Sequence, residues 1–266
     1  MHDWRSYAEI AERYDRVWSV RFEAVARQIW ARVPVSAGDP LLDIGTGTGV
    51  VLRIREELAG AVGLMVGCDL SPAMLKRARS RVAGLCVLIA DATAMPLRDE
   101  SFGVATASFV LSHIRDYPAA LAETLRLLKP GGTVAVSNWL PPSDPYSVAW
   151  SERLAGAISR SAIERAWAEV TPWEEYFSQR GTLKEALTKA GFSQADSVAV
   201  EVVSDFTVEQ FIEDRELSSS GRFGRHLLGP EDWEQFCADV RRAFHARFGP
   251  SFRYRRGAFI ATARKP

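Results

Sequence analysis

The sequence predicts an α/β fold, with parallel strands covered by helices on both faces. Three observations predict it. Short runs that read as apolar on both faces alternate with amphipathic segments, the pattern of buried strands joined by crossover helices. These runs close on polar or acidic residues, at Asp43 to Gly45, Asp69, Asp91, Ser108-Phe109 and Asn138-Trp139; in such sheets ligands sit beyond the carboxyl ends of the strands. A glycine-rich turn joins the first run to the segment after it.

The elements follow in order. From Tyr7 to Ala31, apolar or small residues recur three and four apart (Tyr14, Trp18, Phe22, Val25, Ala26, Ile29) and predict a helix, which Val33-Pro34 and the stretch 36–40 stop. Leu41 to Ile44 is the first strand and Val50 to Leu58 the next helix. Leu64 to Cys68 is the second strand; Ser71 then caps a helix whose first position is Pro72. Leu85 to Ala90 and Phe102 to Leu111 are strands, Pro118 to Leu128 is a helix stopped by Lys129 to Gly132, and Thr133 to Val136 is the fifth strand. Beyond Trp139 the alternation lapses. Residues 146–178 read as helical but irregular, Gly181 to Ala190 as a helix, Ser197 to Val203 as a strand, Thr207 to Leu217 and Pro230 to Phe248 as helices, and Phe252 to Ala263 as a last strand.

Composition excludes several classes. The 266 residues carry 33 Lys+Arg and 33 Asp+Glu, and 47% are hydrophobic; that is ordinary globular composition, not disorder. A neutral balance argues against a nucleic-acid partner, because phosphate neutralisation needs surplus basic residues. Cys68, Cys86 and Cys237 are odd in number and form no CxxC pair, so neither a disulfide framework nor a zinc site is expected, and a reducing compartment is. The stretch Met1 to Ser6 has no apolar signal core, and no apolar run approaches the ~20 residues of a membrane span. The expectation is a cytoplasmic protein without membrane insertion.

The chemistry concentrates at the strand ends. In Gly45-Thr46-Gly47-Thr48-Gly49, alternate glycines let backbone approach a ligand that a Cβ would obstruct. Asp69, 20 residues past Gly49, is placed to accept hydrogen bonds from the hydroxyls of a ribose. Asp91, at the end of the third strand, can accept one from an adenine amino group, and Met74 can wall that ring. A dinucleotide pyrophosphate also fits a glycine-rich turn, but its usual spacing is G-x-G-x-x-G; here the third glycine comes one position earlier.

Four segments, LLDIGTGTGV at 41–50, GCDLSPAML at 67–75, IADATAMPLRDESFGVATASFVLSHI at 89–114 and LRLLKPGGTVAVSNW at 125–139, resemble the class I S-adenosylmethionine-dependent methyltransferases. Within them the chain is similar to the small-molecule group that includes the ubiquinone/menaquinone-biosynthesis methyltransferases. Weaker likeness extends to IAERYD at 10–15 and GTLKEALTKAGF at 181–192. The resemblance implies a doubly wound, mostly parallel seven-stranded sheet of order 3-2-1-4-5-7-6 with an antiparallel last strand. It implies S-adenosylmethionine as cofactor, with Gly45, Thr46, Gly47 and Gly49 along its methionyl part and Asp43 supporting the loop. Asp69 would hold the ribose, Leu70 would lie beside the adenine, and Asp91 and Ala92 would contact its edge. Ser108 would face the methionyl end beside Phe109, and Tyr14 would fold over the cofactor. The organisation implied is one domain over 1–266: an N-terminal helical lid at 1–38, a cofactor-binding core at 39–139, and substrate-side insertions with lid helices at 140–180 and 207–248.

Methyl transfer from a sulfonium needs alignment and exclusion of water more than a nucleophilic side chain. An acidic acceptor would also use a general base. His113, after the fourth strand, is the candidate; a histidine hydrogen-bonded within its loop is the plainer alternative. No metal-binding pair such as HxxxH or CxxC occurs. Four of eight tryptophans (139, 150, 167, 173) fall within 35 residues, where about one is expected by proportion. They suggest an apolar lid over a small-molecule acceptor, or a helical subdomain with its own aromatic core. The charges of 207–248 read as a solvated face, Ser218 to Gly221 as a flexible gate, and Arg253, Arg255 and Arg256 as one polar strand face. Two other functions fit the same loop: an NAD(P)-dependent oxidoreductase, and a methyltransferase-like fold in a non-methylating role. The acceptor and the oligomeric state have no signal in the sequence.

Overall fold

The computed structural model describes residues 3–59 and 63–266; Met1 and His2, the start of the stretch read for a signal segment, lie outside them. Seven strands form one sheet of order β3-β2-β1-β4-β5-β7-β6, the order that the resemblance implies. They are β1 (Leu41–Ile44), β2 (Met65–Asp69), β3 (Cys86–Ile89), β4 (Phe102–Ser108), β5 (Leu128–Trp139), β6 (Ser193–Thr207) and β7 (Ser251–Arg264). The pairs among β1 to β5 are parallel and β7 is antiparallel to both β5 and β6. The carboxyl ends of β1 to β5 therefore share one edge. The order reverses at β1, between β2 and β4, which makes that point the natural crevice.

Helices cover both faces. On one, α1 (Ala11–Trp30), α2 (Val50–Ala59) and α3 (Pro72–Arg81) bury Val25, Ala26, Ile29, Leu52, Ile54 and Ala78 against the sheet. On the other, α4 (Tyr117–Leu127), α7 (Glu174–Phe177) and α8 (Thr182–Lys189) bury Leu121, Leu127, Phe177, Leu183 and Leu187. The larger of these side chains, valine, leucine, isoleucine and phenylalanine, each contribute about 1.5–3 kcal/mol. A third core joins α5 (Pro145–Ala157), α6 (Arg160–Val170), α9 (Val208–Leu217) and α10 (Ser219–Phe248) through Trp150, Phe211, Trp233, Phe244 and Tyr254. The helix starts follow local chemistry: Ser71 accepts from the Met74 N–H ahead of Pro72, and Thr207 forms a reciprocal capping box with Gln210.

Several expectations need correction. The first helix begins at Ala11, not Tyr7, and residues 7–10 form a bend and turns. Its second half belongs to the core, with Val25, Ala26, Ile29 and Trp30 buried. The third strand is a sheet edge, with Cys86 exposed and Ile89 62% exposed, and is not covered on both sides. Ser218 to Gly221 is no gate: the Ser218 hydroxyl accepts the Gly221 N–H and starts α10. That helix breaks at Gly229 (φ 80°) ahead of Pro230, where the sequence predicts a helix start. The charges of 207–248 are not all solvated either. Asp214 is fully buried and pairs with both Arg21 of α1 and Arg215, clamping the N-terminal helix to this insertion.

Candidate active site

The turn after β1 is shaped by its glycines. Gly45 has φ +64°, and a Cβ there would meet Val110 Cγ2 at 2.3 Å; only glycine fits. Gly47 (φ +53°) differs, because a Cβ there would meet nothing nearer than the Gly45 carbonyl at 4.0 Å, which leaves its backbone open to the crevice. Asp43 sits beneath. It is 1% exposed, and its two carboxylate oxygens accept from Thr106 Oγ1 (2.6 Å) and Thr46 Oγ1 (2.7 Å). Burial raises its pKa to about 6, the two hydroxyls opposing that shift. Asp43 thus braces Thr46 and the loop and does not face the crevice.

Asp69, at the end of β2, accepts the Gly47 N–H at 3.0 Å through Oδ2 and the Ser71 N–H at 2.8 Å through Oδ1. A carboxylate offers about four acceptor sites, so acceptor capacity remains for a ligand. Burial raises its pKa, and the backbone N–H bonds oppose this. Asp91 lies two residues past Ile89, the register partner of Asp69. Its Oδ1 accepts from both the N–H and the hydroxyl of Thr93, which lowers its pKa. No described residue bonds its Oδ2. Leu70, next to Asp69, stands 69% exposed and Ala92, next to Asp91, is half-buried, whereas Met74 is only 3% exposed and closed off by protein.

At the end of β4, Ser108 Oγ lies 2.9 Å from Ser137 Oγ. Phe109 follows at φ +57°, a conformation that costs a bulky residue about 1–3 kcal/mol and that clusters at functional sites. The strained turn presents the Phe109 ring to Trp139, stacked at 4.1 Å and 17°, and to Phe22 at 5.3 Å. Tyr14 stacks on Phe22 at 5.7 Å and meets Tyr7 edge-on at 5.6 Å. The hydroxyl pKa of Tyr14 is raised well above its ordinary value by burial, with Tyr7, Arg222 and Asp69 among its charged or polar neighbours.

His113 lies in a single 3-10 turn, Leu111–His113, with its ring 6.4 Å from Tyr7. The residue is exposed in part, yet surrounding protein crowds its ring. Desolvation carries its pKa down to about 4, against a hydrogen bond with the Val170 backbone. It is neutral at pH 7, and its hydrogen-bond partner, Val170 at the end of α6, lies outside its own loop.

Four cleft residues escape the sequence analysis. Glu174, at the start of α7, bonds Ser112 and accepts from Asn138 Nδ2 at 3.4 Å; burial raises its pKa. Tyr7 lies under the Arg222 guanidinium at 4.4 Å, and Arg222 is itself only 8% exposed. Arg256 stands 5.6 Å from the Trp139 ring. The one available signal is parity on β7, which puts Arg253 and Arg255 on one face and Arg256 with Tyr254 on the other. Of the clustered tryptophans, Trp139 faces this cleft. Trp150 belongs to the third core, Trp173 packs on Tyr117 while donating to the Arg115 carbonyl at 2.9 Å, and Trp167 is 45% exposed. Of the four, Trp150 alone is buried in the core of the helical subdomain.

A sequence profile for a methyltransferase domain matches residues 42–136. The chain is 34% identical over 158 residues to a demethylmenaquinone methyltransferase of Renibacterium salmoninarum, covering 57% of this chain and 65% of that one. It thus spans just under two thirds of that relative's length. It is 30% identical over 195 residues to the demethylmenaquinone methyltransferase of Mycobacterium marinum, covering 69% of this chain and 82% of that one. Among solved structures it is similar in fold to phosphoethanolamine N-methyltransferase 2 of Haemonchus contortus, solved with phosphomonomethylethanolamine and S-adenosylhomocysteine. The TM-score is 0.59 at 19% identity, over all of this chain and 61% of that one.

Proposed function

Since the chain belongs to the S-adenosylmethionine-dependent methyltransferases, we propose that it methylates an O, C or N atom of a small, partly apolar metabolite held in the cleft between Tyr7, Trp139 and Glu174. The observation that carries this reading is the grouping of Gly47, Asp69 and Asp91 at one sheet edge, joined by the Gly47–Asp69 hydrogen bond of 3.0 Å. Their free valences match the cofactor's nucleoside. Asp69 retains lone pairs for the two ribose hydroxyls, Asp91 Oδ2 is open to the adenine amino group beside Ala92, and exposed Leu70 offers an apolar surface to the ring. Met74 supports that wall from behind. Gly45, Thr46, Gly47 and Gly49 border the methionyl part, with Ser108 and Phe109 at its reactive end and Tyr14 above.

When bound, the cofactor supplies a methyl group on a sulfonium, already a good leaving group. The chain's own contribution is alignment and exclusion of water, effects worth up to about 7–11 kcal/mol. Phe22, Phe109 and Trp139 hold the acceptor's apolar part. Tyr7 and Tyr14, neutral at pH 7 like any phenol and held further from ionisation by burial, close the cleft. A proton leaving an acidic acceptor passes to the Glu174 carboxylate, which burial makes a stronger base than an ordinary carboxylate. His113, with a pKa of about 4, serves better as a neutral hydrogen-bonding group than as that base. No described helix is long and apolar enough to cross a membrane, and we place the enzyme in the cytoplasm acting on metabolites, not nucleic acid. The test is incubation of the purified chain with methyl-labelled cofactor and a small-molecule extract. Label in a small product supports the reading; cofactor bound but never demethylated refutes it.

A further inference from the structure

Beyond Trp139 lies a cation to which the described residues give no hydrogen-bonded or ion-pair partner. On β7, Arg253 and Arg255 point outward and pair with Asp205 (3.1 Å) and Glu201 (2.6 Å). Arg256 shares the inward parity of Tyr254, which is fully buried. Its Nη1 is buried without a hydrogen bond, and no described carboxylate forms an ion pair with it. The nearest charges are mixed. Arg21 and Arg215 lie close by and share the single carboxylate of Asp214, while Glu174 is near enough for its charge to be felt. Three guanidinium groups thus meet two carboxylates. Arg222, across the cleft, bonds the carbonyls of Ser6 (3.1 Å) and Arg5 (3.4 Å) and the Tyr7 hydroxyl, with no carboxylate partner among the described residues.

A desolvated guanidinium without a partner is costly, and a buried unbonded polar atom calls for an explanation. Its planar fork suits a carboxylate or another planar oxyanion better than any neutral group. Beside it, half-buried Trp139 and Phe109, stacked at 4.1 Å, offer a flat apolar wall suited to a conjugated ring. Resting on the methyl-transfer reading of this cleft, we propose that the acceptor is a planar conjugated molecule bearing an anionic oxygen, with its ring against Trp139 and its oxyanion on Arg256. Arg256 is then a specificity-determining residue, and the excess positive charge around it selects against neutral analogues of the same shape.

The probes are 2-naphthoate and its neutral isostere 2-naphthamide, titrated by calorimetry into the full chain saturated with S-adenosylhomocysteine. The wild type binds the naphthoate at least tenfold more tightly than the amide. Arg256→Gln abolishes that preference while leaving S-adenosylhomocysteine affinity unchanged, and Arg256→Lys keeps part of it. Equal affinities in the wild type, binding of neither probe, or a preference that survives Arg256→Gln overturns the proposal. If Arg256→Gln no longer binds S-adenosylhomocysteine, the wild-type ratio and Arg256→Lys decide. Failure of the wild type itself to bind S-adenosylhomocysteine defeats the methyl-transfer reading instead, so the two failures are distinct.

Discussion

Replacing Asp43 with asparagine removes one buried carboxylate with little change of shape. The carboxyl is 1% exposed, and burial moves its pKa from 3.8 to about 6. The unfolded chain releases this proton near pH 3.8, whereas the folded chain holds it until about pH 6. The stabilising effect of the bound proton is therefore complete below 3.8 and lost as pH rises through about 6. At 1.36 kcal/mol for each pH unit of separation, the ionised group costs about 3 kcal/mol at neutral pH. Asparagine keeps one carbonyl acceptor for a threonine hydroxyl and can donate to the other, but it does not titrate. Urea unfolding at intervals from pH 4 to 8 is the assay, and Asp69, present in both proteins, largely cancels. The stability difference between Asp43→Asn and the wild type should grow in favour of the variant by about 2.4 kcal/mol across that range, the rest being lost below pH 4. Parallel pH profiles would refute the reasoning, because they would mean that Asp43 is not held desolvated.

Gly45→Ala drives a methyl group into Val110 at a backbone angle that suits glycine, and should destabilise the fold by about 1–3 kcal/mol, read as a lowered urea midpoint; an unchanged midpoint would show that the loop yields. Asp214→Ala leaves Arg21 and Arg215 buried without their shared anion and should cost about 3–5 kcal/mol in the same assay, whereas a loss under 1 kcal/mol would mean that the clamp between α1 and α9 matters little. Glu174→Gln should lower turnover by about 10²–10⁴-fold without changing S-adenosylhomocysteine affinity, once an acidic acceptor is in hand. In the wild type the rising limb of the pH–rate profile should lie above the ordinary carboxylate range, since burial raises Glu174; full activity in the variant would remove Glu174 from the chemistry.

The sequence was most informative where a strand is apolar on both faces. β1, β2 and β4 announce themselves, and their polar ends, Asp43, Asp69 and Ser108, mark the edge where the crevice lies. β6 was the least legible strand. Only its middle, Ser197 to Val203, reads as strand, yet it runs from Ser193 to Thr207, held by pairing with β7 over that length. Its exposed side carries Glu201 and Asp205, whose partners Arg255 and Arg253 lie 54 and 48 residues away. No local window contains that pairing. Glu174 was hidden for the same reason: its neighbours Ser112 and Asn138 come from other elements, and the stretch around it has no clear period. Arg256 was obscured by company, because three arginines in four residues look like one polar face until the alternation of a strand is applied to each. Asp214 shows the converse, a buried acid that a mixed-charge stretch disguises as surface.

The claim on which the function rests is that β1, β2 and β3 together present one nucleoside site, gripped at its ribose by Asp69. Titration calorimetry of S-adenosylhomocysteine into the wild type and Asp69→Ala measures it directly. One site per chain is expected in the wild type, and affinity in the variant weaker by about 10- to 150-fold, the equivalent of about 1.5–3 kcal/mol for hydrogen bonds to a charged group. Equal affinity in the two proteins, or no binding in either, would contradict it.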